Sequence, residues 1–281
     1  MLLNKNHLPY GSKTVKAKDK ESIGIKDNRK IFCIPVDEGY ESSGSFGENI
    51  LRISCRLIEI IISLFALILT LPIMLVIALI IKLDSPGPAL FFQSRCSISN
   101  KKPGKEIIGN NKYAISDKHF SPNKKYWVPK TFKFVKFRTM YADAKERYPE
   151  LYDYNYSEKE IETIAFKSED DPRVTMAGKW LRKSTLDELP NFWSVLTGNM
   201  RLVGPRPELP EMLYNYRPDQ MRKFTVKPGI TGLPQINGRG RLSFQRTIAY
   251  DLEYVEKKSI ALDIKILIMT VWKVIAKHGA F

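Results

Sequence analysis

From Ile60 to Ile81 the chain reads IIISLFALILTLPIMLVIALII, without one charged side chain. About 20 apolar residues suffice for a helix to cross a bilayer, so this run predicts a membrane segment rather than a core helix. Two features argue against a plain crossing. Pro72 sits mid-run, where a proline removes a backbone hydrogen bond and bends the helix. Basic residues flank both ends, with Arg52 and Arg56 before and Lys82, Arg95, Lys101 and Lys102 after. Lysine and arginine favour the cytoplasmic side, so both ends are expected there, and the helix is expected to dip in and return. A straight, kinked spanning helix is the competing expectation, because spanning helices tolerate proline.

Elsewhere the pattern changes several times. Residues 1–48 are polar and hold no sustained period beyond a short apolar patch, Ile31-Phe-Cys-Ile34. That composition predicts a flexible tail, and with no apolar core after the first charges it does not read as a signal peptide. Ala89-Leu-Phe-Phe92, bounded by turn residues, and the alternating aromatic stretch Thr131–Thr139 both predict strands. Between them, residues 97–130 form a basic insertion broken by Gly, Pro and Asn, expected to be a long loop or hairpin. Tyr141–Phe166 is charged and helix-forming, with breaks near Pro149 and Asn155, and a helix is expected within Trp180–Leu196. Ser259–Lys277 is apolar except for a narrow stripe of Ser259, Asp263, Thr270, Lys273 and Lys277, which suits a buried or an interfacial helix.

Composition narrows the partners. The 281 residues carry a net charge of +15, which implies an anionic partner: nucleic acid, anionic lipid or a phosphorylated small molecule. Cys33, Cys55 and Cys96 are scattered, as are His7, His119 and His278. Neither a disulfide framework nor a zinc site is supported, and a reducing compartment suits the polar body.

The chemistry concentrates around Asp187 and Glu188, adjacent carboxylates in Leu181-Arg-Lys-Ser-Thr-Leu-Asp-Glu-Leu-Pro-Asn191. On a helix, neighbours point about 100° apart, so one can face a reacting atom while the other holds a metal. Thr185 to Glu188 also fits a capping box, which explains the same residues without chemistry. Basic segments surround the pair in sequence. Lys136 and Arg138 close a strand, Arg182 precedes the dyad, prolines and a glycine frame Arg206, and glycines frame Arg239. Each arginine alone could be a solvated surface charge. Together they resemble a diphosphate site in which cations clamp phosphates, one carboxylate holds Mg²⁺ and the other attacks or activates. No phosphate-loop, dinucleotide-binding, zinc-protease or serine-hydrolase motif competes.

These segments, in order, resemble the bacterial sugar transferase family, the monotopic polyprenyl-phosphate phosphoglycosyl transferases. The likeness runs from about Arg52 to Phe281, through Leu83–Arg95, Lys136-Phe-Arg-Thr-Met140, Asp171-Pro-Arg-Val-Thr175, Gly178–Pro190 and Gly198–Pro207. It continues through Lys227–Gly232, Gln235–Arg239, Asp251–Val255 and Asp263–Ile266.

The resemblance implies an α+β, helix-rich fold with a re-entrant membrane helix, interfacial amphipathic helices and a small β-sheet or hairpin. It divides the chain into a tail at 1–48, the membrane helix-break-helix at 49–83 and a cytoplasmic catalytic domain at 84–281 that carries the insertion at 97–130. It implies transfer of a sugar phosphate from a UDP-sugar to undecaprenyl phosphate, with UMP leaving, at the cytoplasmic face of the bacterial inner membrane, to begin an exopolysaccharide, capsule or O-antigen. The role of nucleophile carries over to Asp187 and that of Mg²⁺ ligand to Glu188. Lys136, Arg138, Arg182, Arg206, Arg239 and Asp251 become candidates to face phosphate or the dyad, and Pro72 becomes the membrane break. Inner-membrane lipid is an implied partner, nucleic acid is not, and a homodimer is compatible. Four departures stand out: Leu71 precedes Pro72 where the family has Ser, Leu233-Pro234 replaces Trp-Ala, the 97–130 loop is long, and the front transmembrane helices of longer relatives are missing. Thr70 is the expected substitute for that serine. The alternative to an enzyme is a membrane-tethered basic binding protein.

Overall fold

The computed structural model describes residues 30–36, 46–115, 120–164, 170–238 and 241–276. Its elements follow the chain as strand β1 (Ile31–Pro35), helix α1 (Phe46–Asp84), β2 (Leu90–Pro103), β3 (Tyr113–Ile115), β4 (Lys125–Phe137), α2 (Ala144–Arg147), α3 (Glu158–Thr163) and α4 (Met176–Ser184). After the 3-10 helix Leu186–Asn191 come α5 (Phe192–Leu196), β5 (Arg201–Val203), β6 (Gly229–Thr231), α6 (Leu233–Asn237), α7 (Phe244–Lys257) and α8 (Ile260–Ile275). Short 3-10 turns join several of these. The result is helix-rich with small sheets.

α1 is one helix of 39 residues with Pro72 inside it. It is long and apolar enough to cross a membrane, and most of its apolar window is uncovered by protein. Thr70 does not serve the carbonyl that Pro72 leaves unpaired. Its hydroxyl donates to the Ala66 carbonyl, at 2.7 Å, whereas a proline at 72 frees the carbonyl four residues earlier, at Ile68.

Where α1 ends, Arg138 ties down the last turn and the two residues that follow it. Its guanidinium donates to Ile81 O (3.3 Å), Ser85 O (2.7 Å) and Pro86 O (2.6 Å). Gly87, at φ +117°, turns the chain from α1 into β2, and a Cβ there would crowd Ala142 at 2.9 Å and Arg138 at 3.2 Å. Asp84 Oδ2 in turn accepts the backbone N–H of Ala177 at the start of α4 (3.3 Å).

β2 and β4 form a long antiparallel hairpin, irregular between Ser97 and Asn100. The insertion therefore lengthens a hairpin. The sheet order is β2-β4-β1-β3, with β1 parallel to β3 and antiparallel to β4. This corrects the reading of residues 1–48 as a uniformly flexible tail: Ile31–Pro35 is a strand inside the sheet, with Ile31 and Cys33 buried. Ile31 and Cys33 share one face of the strand, Ile31 joining the cluster of Met212, Tyr216 and Phe244 and Cys33 that of Ile107, Tyr126 and Val128. The second sheet is the parallel pair β5–β6, under α8 and α7, in a core of Phe132, Phe134, Leu202, Tyr254 and Ile266.

Candidate active site

The dyad sits on the 3-10 helix Leu186–Asn191, which leaves α4 through Thr185 in the left-handed conformation (φ 60°). Leu186 and Leu189 anchor that turn against the cluster of Ile77, Ile81, Phe137 and Leu181, so the dyad element packs on the last turns of α1. The capping-box reading fails here, because the Thr185 side chain makes no capping hydrogen bond. Glu188 instead accepts from Arg206, Nη2 to Oε1, at 3.1 Å. The Glu188 charge is the main reason the Arg206 guanidinium holds its proton more tightly than usual.

Asp187 is 7% exposed. One of the cations it acts on is Lys136 on β4, whose ammonium is pushed down to about 8 by burial, with Asp187 pulling the other way and Arg182 and Arg95 adding to the burial effect. Arg182, on α4, donates from Nε to Thr139 Oγ1 (3.2 Å) and lies 3.9 Å from Asp171 Oδ2. Burial lowers its affinity for a proton, and Asp171 and then Asp187 raise it. Asp171 is held by Arg173, which contacts both its oxygens at 2.8 and 2.7 Å.

The structure thus brings Lys136, Arg182 and Arg206 around Asp187 and Glu188. It does not bring Arg138, which is 4% exposed and caps α1; as a phosphate ligand it is corrected to a structural residue. Asp251 is 0% exposed and lies 3.0 Å from Lys223 Nζ. Burial raises the Asp251 carboxyl to about 6, against the pull of Lys223 and of the Arg206 backbone. It is fully enclosed beside the Arg206 backbone. Arg239 lies outside the described residues.

Arg95 is the member that sequence reasoning missed. It donates to Pro207 O (3.3 Å) and Gln93 Oε1 (2.8 Å), and stands over the Phe134 ring at 5.6 Å. Among the described residues no carboxylate oxygen lies within ion-pair distance of it. Burial and then the Arg206 charge depress its proton affinity. Only its parity on β2, on the same side as Gln93, could have pointed to it. Four cations therefore gather by the dyad, with Asp171 acting on Arg182 and Glu208 on Arg95 and Arg206 as further carboxylates.

No group of three or more His, Cys, Asp or Glu that could enclose a metal occurs among the described residues. The dyad still fits Mg²⁺, which commonly takes only one or two carboxylates and completes its shell with substrate phosphates and water.

The sequence model of the family described as "Bacterial sugar transferase" matches residues 50–103 and 120–277. The chain is 41% identical over 162 residues to the galactosyl transferase CpsE of Streptococcus agalactiae serotype III, covering 57% of this chain and 35% of that protein. It is 34% identical over 237 residues to the undecaprenyl-phosphate glucose phosphotransferase of Komagataeibacter xylinus, covering 80% of this chain and 36% of that protein. It is 32% identical over 231 residues to the exopolysaccharide production protein ExoY of Sinorhizobium fredii, covering 82% of this chain and 88% of that one. The chain thus spans little more than a third of the first two and most of the third.

Proposed function

The chain belongs to the bacterial sugar transferase family, and from that premise we propose that it moves a sugar phosphate from a UDP-sugar to undecaprenyl phosphate, at the cytoplasmic face of the inner membrane, as the first membrane step of a surface glycan. The observation that carries this reading is Asp187, shielded from solvent among Lys136, Arg182 and Arg206 on an element packed against an apolar helix.

In the proposed chemistry a carboxylate oxygen of Asp187 attacks the β-phosphorus of the donor. The bond from that phosphorus to the bridging oxygen breaks, and UMP leaves with the oxygen and its electron pair. An oxygen of undecaprenyl phosphate then attacks the same phosphorus, the phosphorus–Asp187 bond breaks and the carboxylate is restored. Splitting one displacement in two suits a carboxylate nucleophile, and a charge-rich diphosphate needs cations held in place. Arg206, steered by Glu188, and Arg182, steered by Asp171 and Thr139, are positioned to bind the phosphoryl oxygens. Mg²⁺, held by Glu188 with the diphosphate, would offset charge on the phosphates and on departing UMP.

The same reading makes α1 re-entrant. Arg56 donates to the carbonyls of Val195 and Leu196, at 2.6 and 3.2 Å, while Leu186 and Leu189 pack with Ile77 and Ile81. A straight helix would separate Arg56 from Ile81 by ~37 Å, whereas helical residues 186–196 span about 20 Å. One short stretch in contact with both regions of α1 supports a bend at Pro72.

The test is UMP release by the detergent-solubilised protein with Mg²⁺, undecaprenyl phosphate and a panel of UDP-sugars, beside Asp187→Asn. The expected result is release with at least one sugar, lost in the variant by about three orders of magnitude or more and abolished by chelation. Release that survives in Asp187→Asn would remove the nucleophile from this scheme.

A further inference from the structure

The face of β2 beside the dyad cations has two ends of different character. Successive strand residues point to opposite faces, so β2 presents Phe91, Gln93 and Arg95 on one side, where they stand across from Lys136, Phe134 and Phe132 of β4. Arg95 marks the inner end, bonded to the carbonyl of Pro207, next to Arg206. Phe91 marks the outer end. It is 40% exposed, and Lys136 Nζ lies 5.7 Å from the centre of its ring.

The opposite face of the same strand end carries Leu90 and Phe92, which is 59% exposed. Leu90 stands across from Phe137, and Phe137 is buried with Ile77 and Ile81 of α1. That face packs on the Ile77 and Ile81 side of the last turns of α1, leaving Leu90 and Phe92 exposed beside a helix whose other side carries the exposed Leu79 and Leu83. One strand end joins a bilayer-facing surface to an ammonium beside the dyad. A ligand that satisfies both has an anionic head bonded directly to an apolar chain.

We propose that the outer end of β2 is the acceptor subsite: the isoprenoid chain passes from the bilayer across Leu90–Phe92 and lies on Phe91, and its phosphate meets Lys136 Nζ. The donor diphosphate then approaches from the Arg95–Arg206 end, and Asp187 lies between the two. This deepens the proposed function and rests on it. The acceptor oxygen forms its bond to the phosphorus on Asp187 while the phosphorus–Asp187 bond breaks, and Lys136 holds the charge of the acceptor head throughout. Apolar contact at Phe91 contributes to acceptor binding through area removed from water.

The test compares wild type, Phe91→Ser and Phe91→Leu, measuring KM for undecaprenyl phosphate, KM for the UDP-sugar, kcat, and flotation with phospholipid vesicles that lack the acceptor. Phe91→Ser is expected to raise the acceptor KM about tenfold, the scale of losing much of an aromatic contact. Donor KM should move less than about twofold and flotation should not change, because α1 dominates membrane binding. Phe91→Leu should restore most of the acceptor affinity. An unchanged acceptor KM in Phe91→Ser overturns the assignment. So does a rise confined to the donor KM, which would put nucleotide or sugar over the ring. A loss of flotation parallel to the loss of activity would make Phe91 a bilayer anchor only, and also overturns it. Wild-type protein inert towards every UDP-sugar would instead sink the transferase reading, and this subsite with it.

Discussion

Lys136 concentrates the electrostatics of the cleft. Desolvation disfavours its charge, Asp187 favours it, and the balance brings its pKa to about 8, with Arg182, Arg95 and Glu188 as the other charged neighbours. The ammonium is the form that binds phosphate, so its charge is present below that value and lost as pH rises through it. The kcat/KM profile is expected to fall on its alkaline side with an apparent pKa of about 8. Lys136→Arg, which stays charged throughout, should carry the alkaline limb to higher pH even if its rate is lower. A limb that does not move would assign it to another group. At this scale the sequence picked out Asp187, Glu188, Lys136, Arg182 and Arg206, which the fold gathers in one place, and Arg138, which it puts at the end of α1. Lys136 and Arg138 are two apart, and in a continuing strand they would share a face. β4 ends at Phe137, however, and the Arg138 side chain reaches the end of α1.

Arg138 and α1 form a unit whose logic belongs to the helix, not the site. A cation at a helix C-terminus meets both the unpaired carbonyls and the negative end of the macrodipole. Arg138→Ala removes three hydrogen bonds from a charged donor, to Ile81, Ser85 and Pro86, while Ile81 O keeps the Ser85 N–H, and is expected to cost ~3 kcal/mol. Thermal unfolding in detergent reads that cost, and turnover per folded molecule should fall far less than in Asp187→Asn. Equal losses of turnover would return Arg138 to the site. The bend proposed for α1 has its own test. Single cysteines at Asn49 and Lys82, in a background without native cysteines, should both react with an impermeant maleimide from the cytoplasmic side. Labelling from opposite sides would make α1 a spanning helix. The apolar run was readable because its composition is extreme. The cap was not, because it joins residues far apart in sequence and nothing in the Arg138 neighbourhood mentions a helix end.

At the scale of the whole molecule, the least legible feature is the outer part of the four-stranded sheet. β1 lies before the family-matched residues 50–103 and 120–277, and β3 lies between them, yet the two pair with each other. A five-residue strand in a polar segment carries too little periodicity to announce itself, and its partners are distant in sequence. Cys33 offers a way to perturb this addition by itself. It is fully buried, and burial pushes its thiol up to about 12. Its cluster contains Ile107, Tyr126 and Val128 and none of the dyad's neighbours. Cys33→Asp places a carboxylate among Ile107, Tyr126 and Val128, a change expected to cost ~3 kcal/mol locally. The amides of residues 113–115 and 125–128 should then exchange hydrogen faster, while those of Phe132–Phe137 keep their protection. UMP release should stay within about twofold of wild type, because additivity holds for changes that share no partners with the site. A large fall in release would mean that the long β2–β4 hairpin transmits strain from its far end to Arg95 and Lys136. The added strands would then set the geometry of the cleft rather than merely extend the sheet.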